Sequence, residues 1–209
     1  MGVFDIFKSK KPEGRSGSFE KWASWVGSKK AQVYDRQEAL QGLCALGTSD
    51  AAEALLRRFL FSVDPSITDQ EEKEHAFQGI AKAGREALPP IRAFAEKSES
   101  LGWPIRLVRE ILPEGEVIDE LTSWLSKWDT EYSKFIDAKL QLLAALESYT
   151  DERVVTAVLP FLGDVNETAR FHAVCTLLRQ QDARISPALV EMSAKEESVR
   201  VRNKAREGI

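Results

Sequence analysis

The 209-residue chain is short of the residues on which most site chemistry depends, with 2 His, 2 Cys and 12 Gly. So few imidazoles and thiols argue against a multi-ligand metal cage or a disulfide framework. So few glycines argue against a Gly-rich phosphate loop. Long apolar runs are also missing: no window approaches 18 consecutive apolar residues, and the first residues hold no signal-peptide core. Met1-Gly2 opens like a myristoylation signal, but Ile6 stands where that motif requires Ser or Thr. Cys44 and Cys175 sit in apolar helical contexts, GLCAL and AVCTL, where a thiol serves as a small buried hydrophobe. Together these absences read as a reduced, cytoplasmic protein with no cofactor and no metal.

What is present is a balanced globular composition, 43% hydrophobic and 30% charged, with a formal net charge of −4. The charge is unevenly placed. Residues 1–30 carry seven basic and three acidic side chains, leaving 22 basic against 30 acidic for the remainder. An acidic body argues against nucleic acid as the main ligand, because that binding is driven by counterion release to a basic surface. Val3, Phe4, Ile6 and Phe7 form a short apolar patch, followed by a polar Gly-, Ser- and Lys-containing stretch of linker character to residue 17. Two readings stand for the patch: it caps the first helix of the body, or it docks on a partner or a membrane surface. With Lys8, Lys10 and Lys11 alone beside it, membrane attachment would be marginal and reversible, not stable insertion.

From residue 18 to 209 the pattern is helical, with no strand signal. Trp22, Trp25 and Val26 share a helix face. Asp35 is placed to cap a helix bearing Ala39, Leu40, Leu43 and Leu46, which Gly47 ends. Asp50 then opens a second helix with Ala52, Leu55, Leu56 and Phe59. This helical hairpin recurs. Asp151 and Asp182 likewise stand between apolar helices, and two divergent hairpins fall at 71–84 with 86–97 and at 101–112 with 116–128. Periods of this length without strands predict an all-α solenoid of about five hairpins, preceded by an N-terminal helix and closed by a capping helix from about Ser198.

The stretch DRQEALQGLCALGTSDAA, from Asp35 to Ala52, resembles a HEAT repeat of the short bacterial type, found also in phycobilin-lyase-like proteins. GREALPPI from Gly84 resembles that family's second-helix entry, and ETARFHAV from Glu167 its first-helix pattern. The resemblance covers about residues 33–207 and implies a right-handed stack. It is weakest in the third hairpin, where Pro104, Pro113 and three Trp residues intervene. It also implies protein partners, small GTPases or their regulators among them.

Catalytic constellations are thin. His75 and His172 lie about three repeats apart, and Cys175, three residues after His172, reads as core packing. Glu72-Lys73-Glu74-His75 spells E-x-x-H, but a di-iron bundle needs a second copy, which the sequence lacks. The segment reads as a solvated helix N-terminus whose acids match the dipole. A bilin-lyase-like or nucleic-acid-modifying enzyme is the alternative on this fold, with Trp103, Trp124 and Trp128 as a conceivable lining. The main expectation is a non-catalytic adaptor or regulator that holds a protein on the concave face made by second helices. Arg57, Arg58, Phe61, Arg92, Trp124, Lys127 and Arg153 lie outside the core stripes of those helices and are the candidate contacts, since Arg and aromatic residues dominate interface hot spots.

Overall fold

The computed structural model describes residues 17–209, all helix and connection with no strand among them. Two compact units divide at Ala83 and Gly84. The first holds α1 (Gly17–Val26), α2 (Val33–Leu46), α3 (Ser49–Leu56) and α4 (Ser66–Lys82), with a 3-10 turn at Arg57–Leu60. The second opens with a 3-10 turn at Gly84–Ala87 and holds α5 (Leu88–Ala95), α6 (Gly102–Ile111), α7 (Glu114–Leu125), α8 (Asp137–Leu146), α9 (Glu152–Val158), α10 (Glu167–Leu177), α11 (Ile185–Lys195) and α12 (Val199–Ala205). A further 3-10 turn, Leu159–Gly163, follows α9.

The helix boundaries follow local chemistry. Gly47 and Gly84 have φ of 61° and 59°, the left-handed region in which a Cβ is strained, and each stands where a helix gives way to the next element. Thr48 caps α3 by accepting from the Ala51 N–H, and Asp151 caps α9 by accepting from that of Arg153. Asn166 accepts from both Thr168 and Ala169 at the head of α10, and Ser198 caps α12. Asp35 and Asp50, expected as caps, lie instead inside the first turns of α2 and α3, where a carboxylate still faces the positive helix end. Asp182 stands ahead of α11 and holds a turn by accepting from the Arg184 N–H. Pro90, Pro104 and Pro187 all fall in first turns, where the missing N–H has no helical partner to lose. The third hairpin is therefore bounded by α6 and α7 despite its prolines.

In the first unit α2 packs on α1, α3 and α4, burying Leu40, Leu43, Leu55, Leu56, Phe77 and Ile80. In the second, α6, α8, α10 and α12 each pack on the next, while α7 meets α9, and α11 meets the turn after α9. Leu107, Leu121, Leu125, Leu142 and Leu177 are fully enclosed there. Each such side chain contributes about 1.5–3 kcal/mol by leaving water.

A polar device recurs three times within these apolar layers. Arg36, Arg170 and Arg202 are each the fourth residue of their helix, and each is followed three residues later by a fully buried alanine, Ala39, Ala173 and Ala205. Each guanidinium reaches back to the preceding connection: Arg36 donates to the Ala31 carbonyl, Arg170 to that of Asp164 at 2.9 Å, and Arg202 to that of Glu196 at 2.8 Å. A cation in the first turn opposes the helix dipole, so it needs compensation. Carboxylates provide it. Arg170 grips Glu196 with two bonds of 2.7 and 2.8 Å, and buried Lys139 of α8 binds Asp164 at 2.6 Å and the Asp129 carbonyl at 3.1 Å.

In the first unit the charges converge. Glu72 of α4, only 3% exposed, receives the Nε of Arg36 at 2.9 Å and the Nε of Arg58 at 2.7 Å. Arg58 also holds Asp69 at 2.7 Å, which in turn binds Lys73 at 2.6 Å. This corrects the reading of that segment as a solvated helix N-terminus: Glu72 is the hub of a buried ionic cluster. Burial raises the Asp69 pKa, but hydrogen bonds from Lys73 and Arg58 outweigh it and hold the carboxyl below its ordinary value.

Residues 126–136 between α7 and α8 form the longest connection without helix among the described residues. Its base is pinned by the Val165 N–H donating to the Thr130 carbonyl and by Lys139 on that of Asp129. Tyr132 at its tip is 83% exposed, and Phe135 lies half open beside it.

Candidate binding groove

In the unit from Gly84 onward, α5, α7 and α9 and the residues at their ends are cross-linked by exposed ion pairs. Arg85 makes two bonds to Glu116 at 2.7 and 2.8 Å, and Arg92 of α5 binds Glu120 of α7. Lys127, just past α7, returns to Glu96 at 2.7 Å. Arg153 of α9 reaches Asp119 of α7 at 2.6 Å and also clamps its own cap, Asp151. Arg184 repeats that local clamp on Asp182 and donates to Thr156 of α9 at 3.2 Å. The clamping guanidinium lowers Asp151 to about 2 and Asp182 to about 2. Exposed pairs of this kind, screened by solvent, add little to stability.

Between these rungs lie clefts that share walls. One of about 570 Å³ is lined by Thr122, Ser123, Ser126, Arg153 and Thr156. It shares Asp119 and Ser123 with a cleft of about 330 Å³ that contains Arg92, Glu120 and Trp124. Trp124 and Lys127 also border a slot of about 240 Å³ lined by Ala95, Ser98, Leu101, Trp128 and Ala138. Trp128 leads into a fourth cleft, of about 400 Å³, beside Thr130, Pro160 and Phe161. These four depressions share walls in turn, the fourth returning to the first through Ser126, Thr156 and Ala157, and together they form a grooved surface around the C-terminal end of α7 with Trp124 and Trp128 among its walls.

The predicted contact residues divide accordingly. Arg92, Lys127 and Arg153 are exposed and stand along this groove. Trp124, expected to project from the face, is 5% exposed and forms wall rather than protrusion. Helix α7 ends at Leu125, so Trp128 falls past the helix end and is half-buried, while Trp124 joins Leu121 and Leu125 inside. Arg58 is the second correction: it is fully buried, because the tightening to a 3-10 turn swings it toward Glu72 and Asp69. Phe61 follows that turn in extended conformation, with the Arg58 guanidinium 4.6 Å from its ring centre. Arg57 is half-exposed in the first unit, 3.7 Å from Glu53. Val3, Phe4, Ile6 and Phe7 lie outside the described residues.

The remaining chemistry-bearing residues sit elsewhere. His172 Nδ1 lies 2.8 Å from Glu147 Oε1, joining α10 to α8. Burial raises the Cys175 thiol pKa, helped by the Glu147 charge, and burial pushes Cys44 up to about 11 against a smaller opposing effect of Lys82. Neither thiol is activated as a nucleophile. Among the described residues no group of three or more His, Cys, Asp or Glu could hold a metal ion, and no helix is long and apolar enough to cross a membrane.

Comparison of the chain with protein-family models, with characterised proteins and with solved structures finds no significant match.

Proposed function

We propose that this protein is a HEAT-like helical-repeat adaptor that acts without catalysis, in the cytoplasm, by holding another protein along the groove of its second helices. The repeated Arg-x-x-Ala device in α2, α10 and α12 supports the repeat reading, since it places one side chain in one role at three helix starts. The observation that carries the binding reading is the set of wall-sharing clefts among α5, α7 and α9. A groove spanning several helices accepts an extended partner surface, and its indole-walled part gives that surface an apolar anchor point.

The test is position-dependent photo-crosslinking in the native host. A benzophenone side chain at Ser123 or Thr156, both groove residues, is expected to give one dominant protein adduct that the exposed α6 position Glu110 does not give. Equal adducts from all three positions, or none from the groove, would overturn the proposal.

A further inference from the structure

We infer that the groove selects a partner segment carrying a bulky apolar side chain beside lysine or arginine; this deepens the adaptor reading and rests on it. The apolar half of the argument is the slot between Ala95, Leu101, Trp124, Trp128 and Ala138. Its walls come from α5, α7 and α8 with Leu101 just ahead of α6 and Trp128 just past α7, and Leu101, Trp124 and Ala138 are themselves buried, so the slot is preformed. A volume of about 240 Å³ admits one leucine- or phenylalanine-sized side chain. The two indoles offer that side chain an edge or a face to stack on.

The charged half comes from the groove rim. The residues lining the four clefts include three cations, Arg92, Lys127 and Arg153, against five carboxylates, Glu96, Asp119, Glu120, Asp129 and Glu152. The cations are already engaged: Arg92 on Glu120, Lys127 on Glu96, Arg153 on Asp119 and Asp151. The surplus is negative and accessible. Glu152 has a side chain 83% exposed and shares Arg184, 3.7 Å away, with Asp182, so the bordering Arg184 does not cancel the excess, and among the described residues Asp129 uses its carboxylate only on the Glu131 backbone N–H. An incoming acidic segment would meet that surplus with every groove cation committed elsewhere. A basic one gains attraction on approach and at contact. The Glu96–Lys127 pair borders both the slot and the neighbouring cleft, so a ligand lysine beside the anchored side chain can share Glu96.

The probe is a fluorescein-labelled peptide, Gly-Lys-Lys-Phe-Lys-Lys-Gly, titrated against the full chain by fluorescence anisotropy. Replacing its Phe by Ala is expected to weaken binding about tenfold or more, the loss of one buried aromatic side chain. Replacing its lysines by glutamates is expected to abolish binding. On the protein, Ser98→Trp, which fills the slot, is expected to cost about tenfold. The double variant Glu96→Lys, Asp129→Lys alters exposed positions, keeps the fold, and is expected to weaken binding several-fold and flatten its salt dependence. Tighter or equal binding of the glutamate peptide, indifference to Phe→Ala, or indifference to Ser98→Trp would each overturn the inference. Should groove crosslinks form in the host while the lysine peptide fails to bind, this inference alone falls; should both fail, the adaptor reading falls with it.

Discussion

In the unit that ends at Ala83, five charged side chains form one cluster: Arg36, Arg58, Asp69 and Lys73 gather on or near Glu72. From Gly84 onward, a similar number is strung out along the chain, Lys139 to Asp164, Asp164 to Arg170, Arg170 to Glu196, Glu196 to Arg202. Both arrangements begin from the same local event, a cation in the first turn of a helix reaching back to a loop carbonyl. They differ in what each carboxylate must satisfy. Glu72 serves two guanidinium groups at once, whereas Glu196 serves Arg170 with its side chain and Arg202 with its backbone. A hub loses two buried pairs at once when its centre is removed. A string loses one link.

The largest expected effect tests that difference directly. Glu72→Ala leaves Arg36 and Arg58, both essentially unexposed, short of their shared anion, and is expected to cost about 3–5 kcal/mol in urea unfolding. Glu196→Ala leaves Arg170, which is 19% exposed and keeps its carbonyl partners, so about 1–2 kcal/mol is expected. Equal losses in the two variants would break the distinction between hub and string.

Acid titration sharpens it. The Arg170 hydrogen bond holds the Glu196 carboxyl below its ordinary value, and Asp69 is lowered as well. A carboxylate with a lowered folded pKa contributes stability that is present above its unfolded value, and loses it as pH falls through the folded one. Thermal midpoints are therefore expected to hold above the ordinary carboxylate range and to fall progressively below it, with Asp151 and Asp182 adding to the decline until about pH 2. In Glu196→Gln the slope is expected to be shallower. A midpoint that rises on acidification would contradict the assignment of these pairs as stabilising.

The smallest effect belongs to the groove rungs. Asp151→Asn keeps a side-chain oxygen for the Arg153 N–H and gives up the exposed ion pair that lowers the carboxyl, so the urea midpoint at neutral pH is expected to fall slightly, by less than in the Ala variant. Asp151→Ala removes the cap and is expected to cost about 1 kcal/mol. If Asn proved as costly as Ala, the rung rather than the cap would carry the stability of α9.

Much of the helical layout was legible in the sequence because it rests on local chemistry. Gly47 and Asp151 announce a helix end and a helix start within a few residues, and the leucine stripes give the buried faces between them. What was not legible depends on departures from ideal helix geometry or on distant partners. Arg58 reads as a surface residue by ideal periodicity, and becomes the most buried cation of its unit because the helix tightens before it. Glu72 sits in a run of acids, EEKEH, that looks solvated, and nothing within four residues indicates that Arg36 and Arg58 will close on it. Trp124 turns inward and Trp128 falls beyond the helix because α7 stops at Leu125, before the 116–128 pattern does. The groove itself was half visible: Arg92, Lys127 and Arg153 were identifiable as a class, but their carboxylate partners lie 28, 31 and 34 residues away.

The connection at 126–136 has a consequence for handling the protein. Its two attachment points, the Thr130 carbonyl and the Asp129 carbonyl, both precede the exposed tip at Tyr132 to Phe135. The chain beyond Tyr132 is thus free of the bonds that moor the loop. A reporter domain or affinity tag spliced after Tyr132 would enter at the most open aromatic side chain of the connection and leave both moorings, at Asp129 and at Thr130, in place.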